Sequence, residues 1–338
     1  MSKQFRCVGV LLPVMLIPAF AQSGPTVVGA TYSSRTMAVA PGQIVRLQVA
    51  GLKTILPCDG YPCRVVQATA APLPTTLAGI SVTINEYTEQ FLAYPYTFVG
   101  SVRASLVSIQ QLFSCSTVAT ALTANPNPAN TTPGCYVTFL TIQIPYELSF
   151  NPIGNPYVAH EVVISENGTD SQPFVIGVTG DQIHVVTSCD STLGQAQCPS
   201  IVAHLDGTRV SSQAPAKPGE TVVIYAWGLG KTTPAVRTGD VTQSPAPALS
   251  QYPGGPYISF DFSPNAAPSY FLPNTPFVVA PAYLTPGQIG LYQVAVQLPS
   301  SFPAVVSCDS TFVTSNLTIN LRGVFSFDGA AICIGNSP

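Results

Sequence analysis

The stretch DGTRVSSQAPAKPGETVVIYAWGLGKTTPAVRTG, residues 206–239, joins a Pro-Gly turn to a short apolar strand that ends in Gly-Leu-Gly. Proline fixes φ and glycine accepts a positive φ, so Pro218-Gly219 predicts a tight turn just before the strand. Gly228 and Gly230 predict a bulge or sharp bend where the strand ends. No helical pattern follows, as a phosphate-binding loop would require, so these glycines indicate architecture and not nucleotide binding.

The same turn and strand occur earlier in the chain. Residues 41–47 (PGQIVRL) resemble residues 218–224 (PGETVVI), an offset of 177 residues, and residues 141–145 (TIQIP) resemble residues 295–299 (AVQLP), an offset of 154. The difference between the two offsets places about 23 additional residues in the first copy, which we assign to the loops around Cys115 to Cys135. Ser-Cys-Asp-Ser-Thr also occurs twice, at 188–192 and 307–311.

Apolar and polar residues alternate along many short segments, for example 80–85, 292–298 and 317–322. A period of two puts one face of a strand in a core and the other in water. Turns rich in Pro, Gly and Asn separate the segments, a pattern typical of sandwiches and barrels. We predict an all-β chain of two β-sandwich domains in tandem, at residues 24–180 and 206–338, joined by a connector at 181–205.

The N-terminus has the pattern of a cleaved secretory signal. Lys3 and Arg6 precede an apolar run at residues 8–21, which ends in a small-x-small cleavage pattern, so the predicted mature chain begins at Gln22. An uncleaved anchor is the alternative, but the run is interrupted by two prolines and is shorter than the roughly 20 residues of a membrane span. We expect a secreted or cell-surface protein with no membrane span in its mature chain.

The charge balance argues against several partners. The mature chain would carry 10 basic and 15 acidic residues, a net charge of −5. This composition offers no basic surface for nucleic acid and no polybasic membrane patch. Charged residues make up only 8% of the chain, against about 25% in typical soluble domains, so Ser, Thr, Asn and Gln must provide most of the surface polarity.

Eight cysteines remain after cleavage, and an even count in an exported chain predicts disulfides. Their spacing favours pairing between sequence neighbours, 58 with 63, 115 with 135, 189 with 198 and 308 with 333. A zinc site is the alternative, but no second Cys/His pair follows the first at a suitable distance. We therefore expect no metal and no cofactor. The predicted disulfide residues are Cys58, Cys63, Cys115, Cys135, Cys189, Cys198, Cys308 and Cys333.

Several motifs together resemble a β-domain family of the Solibacter type, common at the C-terminal ends of large exported proteins of acidobacteria. The motifs are HLDGT at 204–208, PAKPGE at 215–220, GLG at 228–230, TG at 238–239, the segment 281–299, and the segment 72–82 that resembles the region preceding it. The resemblance implies an immunoglobulin-like extracellular module, so we expect two immunoglobulin-like β-sandwich domains in tandem. It brings no known catalytic residue. The cysteines and an insertion between residues 101 and 133 depart from the family pattern.

Ionisable residues form few catalytic patterns. His204-x-Asp206 could place two metal ligands on one face of a strand, but no third ligand is identifiable, and a polar edge residue beside a turn aspartate is the favoured interpretation. Of the other two histidines, His160 belongs to a valine-rich strand, and His184 belongs to no motif. No Gly-x-Ser-x-Gly motif is present.

The positions of the few acidic residues also favour a structural role over a catalytic one. The neighbouring pairs Glu86 with Glu89 and Glu161 with Glu166 are interpreted as solvent-facing strand ends or turns. The aspartates at 181, 190, 206 and 240 lie beside Gly, Ser or Thr, where aspartate typically accepts hydrogen bonds from the turn backbone. We predict that the protein is not an enzyme.

Aromatic residues are the better candidates for binding. Tyr225 and Trp227 share one face of their strand with Val223, so this strand is apolar on both faces, whereas Arg46 and Gln48 of the matching earlier strand are expected to face water. A strand that is apolar on both faces is buried or presents an adhesive surface. We expect Tyr225 and Trp227 to pack against the neighbouring domain or a partner; a central core strand is the alternative.

These observations predict a structural, adhesion or protein-interaction role outside the cell, with an extracellular protein or glycan as partner. A lectin-like protein that stacks sugars on Tyr94, Tyr96 and the tyrosines between residues 252 and 270 is the first alternative. A hydrolase whose site is assembled from scattered residues is the second. Self-association through exposed strand edges is a further alternative.

Overall fold

The structure, a computed structural model, describes residues 24–31, 37–57, 64–88, 97–113, 136–150, 158–188, 190, 200–250, 257–259, 282–298, 300, 318–321, 324–325 and 332–335. Strands, turns and loops make up these residues, and none of them is helical. Accordingly, no helix of membrane-spanning length and hydrophobicity is found in this part of the chain. The predicted all-β class is confirmed, with sheets arranged in sandwich-like layers.

The strands are short and follow one another through the chain. In order they are β1 (Thr26–Thr31), β2 (Ala38–Val39), β3 (Ile44–Ala50), β4 (Val65–Gln67), β5 (Thr76–Leu77), β6 (Ile80–Thr88), β7 (Thr97–Arg103), β8 (Ser105–Phe113), β9 (Tyr136–Gln143), β10 (Val158–Glu166), β11 (Thr169–Asp170), β12 (Phe174–Val178), β13 (His184–Val185), β14 (Val202–His204), β15 (Thr221–Trp227), β16 (Thr232–Thr233), β17 (Ala248–Leu249), β18 (Tyr257–Ser259), β19 (Tyr283–Leu284), β20 (Tyr292–Gln297), β21 (Thr318–Leu321) and β22 (Val324–Phe325).

Two sheets enclose the first core. One has the order β1-β3-β9-β8-β4, and the other has the order β2-β12-β10-β6-β5, with β11 on β10 and β7 on β6. Aliphatic side chains from both sheets form one buried cluster, among them Leu47 and Leu140 from the first sheet and Ile84 and Val162 from the second. The apolar face that alternation gives each sheet is therefore buried against the other sheet.

The second core has the same construction from a third sheet and a smaller one. The third sheet has the order β13-β15-β20-β19-β17-β16, with β14 on β15, and the smaller sheet has the order β18-β21-β22. Ile224 and Val294 of the third sheet share a buried cluster with Ile319 of β21 and with Ile332. We call the two assemblies the first unit and the second unit.

The local repeat predicted from the sequence is present in the strand pairing. In the first unit β3 pairs antiparallel with β9, and Ile44 lies opposite Gln143. In the second unit β15 pairs antiparallel with β20, and Thr221 lies opposite Gln297. The sequence offsets of 177 and 154 residues relate these same positions, so both copies use one register.

The turn before each of these strands is also built twice. The side-chain oxygen of Gln43 accepts a hydrogen bond from the Ala40 amide at 2.9 Å, and that of Glu220 accepts one from the Lys217 amide at 2.8 Å. The glycine of each turn has a positive φ, 78° in the first and 74° in the second. Each of these hydrogen bonds, from a backbone amide to the side chain three residues later, closes its turn and fixes where the strand begins.

Residues 181–205, the expected connector, contribute β13 and β14, and both strands pair with β15 of the second unit. Cys333 is disulfide-bonded. The other seven cysteines of the mature chain and the signal segment at residues 1–21 lie outside the described residues. The cysteine pairing, the cleavage, the immunoglobulin-like topology and the exact domain boundaries stay predictions.

The expectation that Arg46 faces water is wrong. Only 6% of this residue is exposed, although its side chain lies on the face opposite the core cluster. Its guanidinium group lies 4.8 Å from the centroid of the Phe139 ring and donates a hydrogen bond to the side-chain oxygen of Gln110. A cation can be buried there because an aromatic ring and a hydrogen-bond acceptor replace its water.

Equivalent core positions should matter equally in the two units. Leu47 and Ile224 are related by the offset of 177 and are both buried. We expect Leu47→Ala and Ile224→Ala each to lower the free energy of unfolding by about 2–5 kcal/mol in denaturant titrations, because each leaves a cavity. Val175→Ala, at a position 65% exposed, is the control and should change it by less than about 0.5 kcal/mol. A core substitution as mild as the control would contradict the packing described here.

Candidate functional site

The two units meet at Thr238 and Gly239, the last two residues of the segment 206–239. The Gly239 carbonyl accepts a hydrogen bond from the Leu73 amide at 2.9 Å. The Gly239 amide donates to Oε1 of Gln143 at 2.7 Å, and Gln143 is fully buried at the end of β9. Both backbone groups of one second-unit residue are therefore bonded to the first unit.

Thr238 adds three hydrogen bonds to the same contact. Its amide donates to Oε1 of Glu147 at 3.2 Å, and its hydroxyl donates to Oε2 at 2.5 Å. The hydroxyl oxygen also accepts a bond from the Tyr146 amide at 2.8 Å. Hydrogen bonds to a carboxylate are stronger than those between neutral groups. Glu147 therefore fixes the orientation of Thr238 through both the backbone amide and the hydroxyl group of that residue.

The contact at Gly239 requires glycine. Its φ is +86°, and a Cβ atom there would lie 2.7 Å from Oγ of Ser105 and 3.2 Å from the backbone nitrogen and oxygen of Leu73. Gly290, with a φ of +65°, is in similarly close contact with the carbonyl group of Gly42. At Gly290 the two backbones approach too closely for any side chain, and at Gly239 the Leu73 backbone would have to move by a few tenths of an ångström to admit one.

Two buried tyrosines complete the junction. The ring of Tyr146 covers Gly42 in the turn before β3, and its hydroxyl lies beside that of Tyr292 in β20. The Tyr292 hydroxyl donates to the Gly230 carbonyl. Burial raises the pKa of both tyrosines above the ordinary value, so both hydroxyls keep their protons. The offset of 154 makes Ser300 the counterpart of Tyr146, and this tyrosine therefore distinguishes the first copy.

The Gly-Leu-Gly motif lies beside this junction. Gly228 and Gly230 have φ values of +77° and +105°, which fit the predicted sharp bend. Gly228 leaves no room for a side chain because the Gln182 carbonyl lies against it, and its own carbonyl accepts a bond from the Gln182 amide at 2.7 Å. Just beyond the motif, Nζ of Lys231 lies 5.5 Å from the ring centroid of Phe150 in the first unit.

His204 is paired with a carboxylate that sequence reasoning missed. Nδ1 lies 2.5 Å from Oε1 of Glu220, and Nε2 lies 3.1 Å from the Ala214 carbonyl oxygen. Both partners are acceptors, so both ring nitrogens carry protons, and the hydrogen bond to Glu220 raises the pKa of His204. Asp206 instead accepts a bond from the Thr208 amide at 2.9 Å, as expected of a turn aspartate. The structure thus gives His204 and Asp206 separate partners within the protein.

His184 also has an acidic partner. Its Nε2 lies 3.0 Å from Oδ2 of Asp190, and that oxygen accepts a further bond from the Thr187 amide at 2.7 Å. The imidazole ring stacks on Trp227, with 5.7 Å between centroids and an interplanar angle of 22°. The histidine therefore links a turn to the outer face of β15.

His160 is enclosed in the first unit. Its Nε2 lies 3.3 Å from Oε2 of Glu86, which also accepts a bond from the Ser149 amide at 2.9 Å. Burial lowers the pKa of His160, and the nearby carboxylate only partly opposes that effect. This histidine is therefore neutral near pH 7.

Glu166 corrects the expectation that the acidic pairs face solvent. It is only 6% exposed, and its two oxygens accept bonds from the amides of Lys53, at 2.9 Å, and Thr54, at 2.5 Å. Glu86 is likewise largely covered, with 13% of its side chain exposed. Unpaired loop amides explain both positions, because a carboxylate that accepts such bonds recovers much of its lost hydration.

Tyr225 and Trp227 lie on the face of β15 opposite the second core and are half-buried. Trp227 contacts His184 of the same unit. Their predicted role at an interface stays a prediction. Tyr94, Tyr96 and the tyrosines from 252 to 270, which a lectin-like site would use, fall outside the described residues, apart from the backbone of Tyr257.

Across the described ranges, no three His, Cys, Asp or Glu residues are grouped so that they could hold a metal ion. No protein-family model matches the chain, and no curated protein matches it. The resemblance to the acidobacterial β-domain family therefore stays a prediction. No sequence motif indicated that Gln143, Tyr146 and Glu147 lie at a junction, although the contrast of Tyr146 with Ser300 between the copies was a usable signal.

A pair of glycines tests the junction. Gly239 and Gly207 share a φ of +86°, but no atom lies within 4 Å of a Cβ built on Gly207. We expect Gly207→Ala to cost about 1–2 kcal/mol through backbone strain alone. Gly239→Ala should cost about 1–3 kcal/mol more, because its methyl group also meets Ser105 and Leu73. Denaturant titration measures both, and equal losses would contradict a tight backbone contact at Gly239.

The stability of the protein should depend on pH through His204. Because its folded pKa is raised above the ordinary value of 6.5, its contribution is fully present below about pH 6.5 and is lost as the pH rises through the folded pKa. The difference in unfolding free energy between wild type and His204→Gln should therefore be largest near pH 5–6 and shrink at higher pH.

His160 provides a control of opposite sign. Its folded pKa is lowered, so its contribution is present above about pH 6.5 and is lost as the pH falls below that value. His160→Gln should remove this acid-side slope and leave the alkaline slope of His204 unchanged. The assignment fails if the two variants share one pH dependence.

Proposed function

We propose that this protein is an exported, non-enzymatic structural module with an adhesion or protein-interaction role. In this proposal its two β units form one stiff body that holds surfaces at fixed positions outside the cell. The observation that carries the proposal is the junction at Gly239. There, backbone hydrogen bonds, a threonine held by a carboxylate and two buried tyrosines join the units without a free linker.

The use of the acidic side chains supports a structural role. Six of them accept a hydrogen bond from a backbone amide of a turn, a loop or the junction: Glu86, Glu147, Glu166, Asp190, Asp206 and Glu220. All three histidines contact a carboxylate of this set. A general base must be able to approach a substrate proton, whereas these groups are engaged in holding the backbone.

The export signal and the cysteine count of the sequence support the extracellular location, and the disulfide at Cys333 fits an oxidising compartment. The low density of charge fits a protein whose surface polarity comes from hydroxyl and amide groups. These groups hydrogen-bond to many kinds of partner, including other proteins and glycans.

Stiffness can be measured directly. Spin labels can be attached at Val175 and Leu205, which are both strongly exposed and lie in different units. Pulsed electron paramagnetic resonance on the predicted mature chain should give one narrow distribution of distances between them. Gly239→Val should broaden that distribution because the junction cannot close, whereas Gly207→Val should leave it narrow. A broad distribution without the Gly239 substitution would show that the units move independently and would contradict the proposal.

The non-enzymatic part needs a separate assay. The unlabelled wild-type mature chain should show no turnover of a panel of glycosides, esters and peptides. Turnover that is removed by His184→Ala or His204→Ala, while the fold is retained, would overturn this part of the proposal.

A further inference from the structure

The second sheet of the first unit has an outer face that points away from the core. The strands β12, β10, β6 and β7 lie side by side there. Ile84, Val162 and Ile176 point inward from three of these strands, so the alternate residues point outward. In one row, Val175, Glu161, Asn85 and Ser101 follow one another across the sheet, and the next row includes Tyr87 and Phe98.

Phe98 is the most prominent aromatic group of this surface. It is 56% exposed on β7, the last strand of the sheet, and Tyr87 lies directly opposite on β6. The two rings meet edge to face, with 5.6 Å between centroids and an angle of 66°. This contact restrains the phenyl ring, while more than half of the residue stays exposed to solvent.

Fixed polar groups surround that ring. The Tyr87 hydroxyl lies near the Glu161 carboxylate, which raises the pKa of Tyr87, and near Asn85. Ser101 donates its hydroxyl proton to Oδ1 of Asn85 at 2.7 Å. We call the set of Asn85, Tyr87, Phe98, Ser101 and Glu161 the Phe98 face. It combines an open aromatic ring with hydroxyl, amide and carboxylate groups on one flat surface.

We propose that the Phe98 face binds a neutral glycan. One sugar ring stacks on Phe98, and its hydroxyl groups form hydrogen bonds with Glu161, Asn85 and Ser101. A pyranose ring has a side of C–H groups that suits an aromatic ring, and hydroxyl groups at its rim that suit paired donors and acceptors. This face carries charges of both signs, Glu161 and, two residues beyond Ser101, the exposed Arg103, so it favours neither an anionic nor a cationic ligand and the glycan is neutral.

Two other occupants fit this surface less well. A protein partner would need a continuous apolar area, but the exposed Phe98 and its neighbour Val99 are separated from Val175 by polar residues, Glu161, Asn85 and Ser101. A second copy pairing along β7 would meet a bulge, because the register with β6 shifts beside Tyr87 and leaves Val99 unmatched. Bulges of this kind obstruct edge-to-edge pairing.

The test uses the mature chain, residues 22–338, and four soluble probes: the hexaoses of β-1,4-glucan, β-1,3-glucan, β-1,4-xylan and chitin. Isothermal titration should show binding of at least one probe. Phe98→Ala should weaken it by about tenfold or more, and Phe98→Tyr should retain it, because only the alanine removes the ring. Val28→Ala, at a position 54% exposed on β1 of the other sheet, is the matched control and should bind as the wild type does.

Phe98 is largely exposed, so Phe98→Ala should keep the wild-type thermal unfolding midpoint, which separates lost binding from lost folding. The proposal is overturned if no probe binds, or if Phe98→Ala binds a probe as tightly as the wild type. It is also overturned if the wild type dimerises through this face without binding any probe. The proposal goes beyond the structural role, and neither its success nor its failure alters the distance measurement on the two units.

Discussion

Contact between two backbones at Gly239 is the constraint on which the arrangement of this molecule depends. The carbonyl and amide of that residue are bonded to Leu73 and to Gln143 of the other unit. Buried backbone groups must be paired, so these bonds fix both the distance and the orientation of the units. A Cβ atom at residue 239 would press on the Ser105 hydroxyl and on the Leu73 backbone, and would therefore strain the contact that these bonds hold.

The two copies of the repeat show how such a junction arises from one local plan. Both copies have a Pro-Gly turn, a hydrogen bond from a backbone amide to a side-chain oxygen that closes the turn, and a strand pair in the same register. They differ where they meet, because Tyr146 covers the turn of the first copy while Ser300 occupies the matching position of the second. The interface between the two copies is therefore asymmetric: the first copy contributes Tyr146 and the second contributes Tyr292, at positions that do not correspond in the repeat.

The features predictable from the sequence were those that depend on neighbouring residues. Alternation and the two Pro-Gly turns predicted the β class and the repeat, and the turn setting of Asp206 predicted its bond to Thr208. Partners distant in sequence were missed, because alternation assigns a face to a residue without saying which strand lies beside it. Glu86 and His160, 74 residues apart, illustrate this. The burial of Arg46 and Glu166 was missed for the same reason. Their charges suggested exposure, but Phe139 and loop amides, which are distant in sequence, replace the water around them.

Sparse charge has a consequence for the conditions in which this molecule can work. The carboxylates described here lie about 3 Å from the amides they accept from, well inside the Debye length of roughly 8 Å at physiological ionic strength. Dissolved ions weaken interactions between distant charges much more than they weaken such short contacts. A shape held in this way therefore depends little on the ionic strength of its surroundings.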